Sequence, residues 1–227
     1  MEKVSLPSLG PVAGPERTAV VLVDVQRVFT ALQLAPPVAG VVANLRRFLE
    51  GARALDVPVV VVRIVVPPEG ASAVWRRQFP DLGDDWLAPG TRNADYEPGF
   101  ESREGDIVVT KPRYSAFVGT PLEAILRTRD VRTVVVAGLT TDVCVGSTVR
   151  DAFQRDFHVV TLGDCCAEMT LAQHEAALAT LANNFGTVCA STELLALWRA
   201  RRWPSPAEGA GGDAEAMTTA RERQPTG

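Results

Sequence analysis

Short, continuous runs of β-branched residues, separated by helical patterns, set the tightest limit on what this chain can fold into. The runs are Ala19–Asp24, Pro58–Val65, Asp106–Lys111, Arg132–Ala137, His158–Leu162 and Thr187–Cys189. Stretches such as AVVLV, VVVVRIVV and TVVVAG show no apolar/polar alternation, so both faces of such a strand must be covered, as in parallel sheets. Helical patterns near Val38–Leu55, Pro121–Arg129, Cys144–Asp156, Leu171–Asn184 and Glu193–Arg201 fill the gaps. Thr120-Pro121-Leu122-Glu123 and Thr170-Leu171-Ala172-Gln173 carry helix-start signals, and Gly186 is placed to stop the helix before it. The alternation predicts an open α/β sheet of about six mostly parallel strands with helices on both faces.

The chain has 227 residues, 46% of them hydrophobic, enough for a sizeable core without disulfide staples. Its net charge of −4 argues against nucleic acid as a partner. No segment approaches the roughly 18 continuous apolar residues of a membrane span, and the N-terminus has no apolar signal core. No membrane partner and a cytoplasmic location are therefore expected. The four cysteines, Cys144, Cys165, Cys166 and Cys189, lack disulfide spacing and read as free thiols. Cys189 reads as core, and of the adjacent pair one is expected buried and one near the site mouth. Residues 1–17, with Pro7, Pro11 and Pro15, read as an extended arm, 18–204 as one folded domain, and 205–227 as a disordered tail. The long connection Pro67–Gly105 is expected to be a lid, binding or subunit-contact segment.

Ligands of open α/β sheets bind beyond the carboxyl ends of the strands. Three reactive side chains arrive there: Asp24 after the first run, Lys111 at the end of DIVVTK, and Cys144 after the turn that follows TVVVAG. A cysteine opening a helix sits at the positive end of its dipole, and a nearby lysine adds to this, so a thiolate with a lowered pKa is expected. An aspartate in reach takes the thiol proton and returns it to a leaving amine. Taken singly, Asp24 reads as a turn residue, Lys111 as a solvated edge and Cys144 as core filler; their conjunction points to nucleophilic catalysis.

The segments VVLVDVQ (Val20–Gln26), KPRYSAFVGT (Lys111–Thr120) and AGLTTDVCVGSTVRDA (Ala137–Ala152) resemble the isochorismatase-like cysteine hydrolase family, in the family's order. The similarity runs from about Thr18 to Trp198. It implies a Rossmann-like three-layer α/β/α fold and an Asp–Lys–Cys triad falling on Asp24, Lys111 and Cys144. It also implies a non-proline cis peptide at Leu139–Thr140, turning the Thr140 N–H toward an oxyanion beside the Cys144 N–H. Homodimers or homotetramers are usual in the family and are expected here.

The stretch Lys111–Thr120, Gln26, and Asp164-Cys165-Cys166-Ala167 look most like the branch of ureido- and carbamoyl-group amidohydrolases. A small-molecule substrate is expected, cleaved at a C–N bond through a thioester, with no cofactor. Nicotinamidase-like members carry a metal site after the second strand; this chain has Arg63-Ile64-Val65-Val66 there, so no metal is expected, and His158 and His174 read as surface or helix-face residues. Gln26, Phe29, Trp75, Tyr114 and Phe117 are the candidate substrate-binding residues, with core or subunit contact as the alternative for Phe29, Tyr114 and Phe117. An isochorismatase-type vinyl ether hydrolase and a non-catalytic binding protein on the same fold stay open as alternatives.

Overall fold

In a computed structural model, residues 13–83 and 85–200 are described. The expected tail and residues 1–12 of the expected arm lie outside them. Six strands form one sheet in the order β3-β2-β1-β4-β5-β6, and every neighbouring pair is parallel. They are β1 Thr18–Val23, β2 Val59–Ile64, β3 Ile107–Lys111, β4 Thr133–Leu139, β5 His158–Ala167 and β6 Thr187–Cys189. The helices are α1 Arg27–Thr30, α2 Val38–Arg53, α3 Ala73–Gln78, α4 Leu122–Thr128, α5 Gly146–Phe153, α6 Leu171–Asn184 and α7 Ser191–Ala200. None is long and apolar enough to cross a membrane.

The unbroken apolar runs have the predicted cause. Val20 and Leu22 of β1 face one cluster, with Leu45, Phe48 and Leu49 of α2 and Leu194 and Trp198 of α7. Ala19, Val21 and Val23 face the other, with Leu122 and Leu126 of α4, Val149 of α5 and Leu181 of α6. Alternate side chains of a strand point to opposite faces, so a strand between two helical layers must be apolar throughout. Residues 13–17 join this body: Trp198 Nε1 donates to the Ala13 carbonyl at 3.0 Å, and Pro15–Arg17 form a 3-10 turn leading into β1.

The short helices α1 and α3 are not predicted from the sequence, and β5 and the helix expected from Cys144 differ from the sequence reading. β5 continues past Leu162 to Ala167, because it stays paired with β4 as far as Leu139↔Ala167. The polar Asp164 is accommodated by the Ser191 N–H and hydroxyl, each at 2.7 Å. The helix expected from Cys144 begins instead as a single wide, π-type turn, Thr141–Val145, before α5. The second helix start is as read: the Gln173 N–H donates to Thr170 Oγ1 at 3.2 Å.

Strand order reverses between β1 and β4, which opens a crevice at their carboxyl ends. The long 67–105 connection is pinned there. Gln26 and Tyr96 form an antiparallel bridge, and the Glu97 N–H donates to the Val25 carbonyl at 2.9 Å. Gly138, paired with Val23, lets the ends of β1 and β4 approach: a Cβ built there lies 1.9 Å from the Val23 carbonyl oxygen, and its φ of +130° also disfavours a side chain. Gly138→Ala is expected to cost about 3 kcal/mol or more, read as a lowered urea midpoint. A cost under about 1 kcal/mol would contradict this packing.

Candidate active site

Asp24 directly follows β1 and adopts the left-handed conformation, with φ of +51°. A short polar residue tolerates this geometry better than a β-branched one. Its N–H donates to the Val62 carbonyl at 3.0 Å, so its backbone stays on the edge of the sheet. Lys111 ends β3, two strands away. Two inter-strand spacings amount to about 10 Å, a span that needs the long lysine stem. Lys111 Nζ lies 2.6 Å from Asp24 Oδ2, with both side chains fully buried. Nζ also donates to the carbonyls of Tyr114 at 2.8 Å and Arg113 at 3.1 Å. Two carbonyls and one carboxylate thus surround the ammonium.

Cys144 reaches the same point from β4. Its thiol is buried and interacts with both Asp24 and Lys111. The Leu139–Thr140 peptide is cis. The Thr148 hydroxyl donates to the Cys144 carbonyl at 2.7 Å and accepts from the Ala116 N–H at 3.0 Å, tying the cysteine turn to the segment after Lys111.

The electrostatics correct the expectation of a resting thiolate. Burial pushes the Cys144 thiol well up, Asp24's negative charge adds to this, and Lys111 only partly offsets them. The helix dipole of an exposed helix start is not the governing influence, because the cysteine itself is buried within a wide turn. Burial also raises the Asp24 carboxyl, against the lowering influence of Lys111. Desolvation thus disfavours the anionic form of both groups.

The candidate substrate-binding residues divide. Tyr114 stands beside Cys144: burial raises its phenol, and the cysteine's charge adds to that. The Trp75 ring lies 5.5 Å from that of Tyr114. Phe29 packs edge-on to Trp86 at 6.3 Å, against the same small apolar cluster as Trp75 and Tyr114. Gln26 is not a free ligand. Its amide nitrogen donates to the Ile64 and Ala94 carbonyls at 3.0 Å each, and its oxygen accepts from the Ile64 N–H at 2.8 Å, so the side chain braces the loop after β1. Phe117 is core: its ring packs on Phe157 at 6.1 Å and under Arg155 at 5.1 Å, at the opposite, amino end of β5.

His174 is no surface residue: it is buried, with Nδ1 2.8 Å from Thr141 Oγ1. His158 is exposed. Cys165 and Cys166 are both fully buried, one in each core layer, so neither reaches a site mouth. Burial pushes the Cys166 thiol up to about 12. Cys189 is half-buried against the α2–α7 layer. Sequence reasoning missed Thr148 and Glu168. The one available signal for Thr148 was its place four residues after the cysteine, where a hydroxyl bonds back to a carbonyl.

Comparison with known proteins identifies the family. The Isochorismatase domain model matches residues 18–193. This chain belongs to the isochorismatase family. It is 31% identical over 197 residues to the ureidoacrylate amidohydrolase RutB of Acinetobacter baylyi, covering 77% of this chain and 80% of that protein. A cysteine hydrolase structure from Pseudomonas syringae pv. phaseolicola superposes with a TM-score of 0.78 at 30% identity, covering 88% of this chain and 98% of the other. N-carbamoylsarcosine amidase from Thermoplasma acidophilum gives a TM-score of 0.65 at 27% identity, over 77% of this chain and 96% of that one.

Removing one member of a buried ion pair leaves the other uncompensated. Lys111→Met is therefore expected to lower unfolding stability by about 3–5 kcal/mol at neutral pH in urea titrations. Adding Asp24→Asn to that variant is expected to restore part of the loss. A single variant as stable as the parent would show that the pair is not held as described.

Proposed function

We propose that this protein is a cysteine amidohydrolase that cleaves a C–N bond of a small ureido, carbamoyl or amide substrate. The observation that carries the reading is the buried Asp24–Lys111 pair set against the Cys144 thiol at the crevice where strand order reverses. The ureidoacrylate amidohydrolase and N-carbamoylsarcosine amidase relatives support the reaction class.

The cycle uses this chain's own groups. Asp24 takes the Cys144 proton as sulfur attacks the carbonyl carbon, because a thiol held this far up is not ionised at rest. The backbone N–H groups of Thr140 and Cys144 hold the oxyanion of the tetrahedral intermediate. Asp24 gives the proton to the departing nitrogen, the C–N bond breaks, and ammonia or an amine leaves a thioester on Cys144. Water then adds to the thioester carbonyl while Asp24 accepts its proton. Collapse breaks the C–S bond, releases the acid product, and the sulfur regains the proton from Asp24. Lys111 keeps the carboxylate placed and balances its charge. Trp75 and Tyr114 wall the site against water. The scheme calls on no metal or organic cofactor.

Ammonia release by the parent and by Cys144→Ala, across ureido acids, carbamoyl amino acids, biuret, primary amides and nicotinamide, tests the reading. Release by the parent and its loss in the variant, by about 10³-fold or more, are expected. Ammonia release that survives Cys144→Ala would contradict the thiol mechanism, and silence across the panel in both proteins would favour isochorismatase-type ether cleavage.

The pH profile gives a second check. Asp24 must be ionised to take the thiol proton, and burial holds its carboxyl above the ordinary value of 3.8. The acid limb of kcat/KM is therefore expected above that value, with activity falling as pH drops through it. An acid limb at or below 3.8 would contradict the desolvated base.

A further inference from the structure

Resting on the amidohydrolase reading, we propose that Glu168 and His174 are positioning residues that clamp the turn carrying Cys144. The turn Thr141–Val145 lies between a strand end and α5, and backbone at such a junction is not held by a sheet ladder. Its anchors are side chains from elsewhere. Glu168 follows β5 and is only 4% exposed. One of its carboxylate oxygens accepts the Asp142 N–H at 2.9 Å, and the other accepts the Met169 N–H at 2.9 Å. His174, on α6 and 6% exposed, places Nδ1 2.8 Å from the Thr141 hydroxyl. Arg150 of α5 completes the grip from the outside, 3.5 Å from the Asp142 carbonyl and carboxylate.

The Glu168 anchor is itself fixed. Its N–H donates to the Ala35 carbonyl at 2.9 Å, and its carbonyl accepts the Ala35 N–H at 2.7 Å, so the loop between α1 and α2 holds the strand end. A buried carboxylate is costly to desolvate and is retained where charge-assisted bonds to backbone N–H groups use both oxygens. The bond to Asp142 lies two residues before Cys144 and two after the proposed oxyanion N–H of Thr140. Loss of the clamp lets sulfur and oxyanion donors drift relative to Asp24, which belongs to the β1 side of the crevice. Drift of about 1 Å at such a site costs on the order of 100-fold in rate. Glu168 bonds backbone N–H groups and not the Cys144 thiol, so its effect is expected on kcat and not on binding.

The test pairs kinetics with hydrogen exchange on the full-length protein. Glu168→Ala is expected to lower kcat by about 10- to 100-fold with KM changed less than about threefold. Glu168→Gln, which keeps one acceptor oxygen, is expected to fall between the parent and Glu168→Ala and covers the case in which the alanine variant does not fold. Amide exchange across residues 140–145 is expected to accelerate more than about tenfold in Glu168→Ala, and to a lesser degree in Thr141→Val, while β1 and α2 stay protected. Unchanged exchange in the turn overturns the clamp. Faster exchange with unchanged kcat overturns its positioning role. A parent that turns over no substrate counts against the amidohydrolase reading, and the exchange rates then decide the clamp by themselves.

Discussion

The carboxylate of Asp24 and the ammonium of Lys111 meet 2.6 Å apart with neither side chain exposed to solvent. Taking both out of water is expensive, and Coulomb attraction repays it only when the remaining protons are also satisfied. That requirement shapes the segment after β3. The chain must curl back so that the Arg113 and Tyr114 carbonyls accept from Nζ, which carries the Tyr114 side chain to the sulfur. The next residues are then linked to the cysteine turn through Ala116 and Thr148. Ion pair, Tyr114 and the turn carrying Cys144 are thus linked through one buried contact.

The parallel sheet is what makes such a contact affordable. Side chains emerge from three strand ends at one edge, and their backbones are fixed by ladders that run through β1, β2, β3 and β4. Gly138 narrows the gap between β1 and β4 at the crevice. The same enclosure that lets a 2.6 Å ion pair persist also keeps the Cys144 thiol protonated. In the proposed cycle that is an advantage: the nucleophile is formed only as a carbonyl arrives to take its electrons, and the proton it gives up is already where the leaving nitrogen needs it.

The fold was legible because covered strands must be apolar on both faces, a property written in consecutive residues. The strand-end positions of Asp24, Lys111 and Cys144 were legible for the same reason. What lay beyond local pattern was not. The roles of Gln26 and Glu168 are set by partners far along the chain: Gln26 bonds Ile64 and Ala94, and Glu168 bonds Asp142. His174 looked like a helix-face residue because nothing nearby in sequence announces Thr141 as its partner. Phe117 follows the lysine closely, yet the turn through Ser115 and Ala116 sends its ring toward Phe157 and away from the sulfur. The direction of the thiol's pKa follows from burial, which no spacing rule reports.

The central claim is that sulfur, proton and carboxylate act as one unit, with Cys144 becoming acylated during turnover. Acid quenching in the steady state, followed by mass spectrometry of the peptide bearing Cys144, tests it most directly. The account predicts an acyl adduct on Cys144 alone, matching the substrate less its departing amine, and no adduct in Asp24→Asn. Sustained C–N cleavage with Cys144 unmodified, or with acylation on Cys165, Cys166 or Cys189, would contradict it.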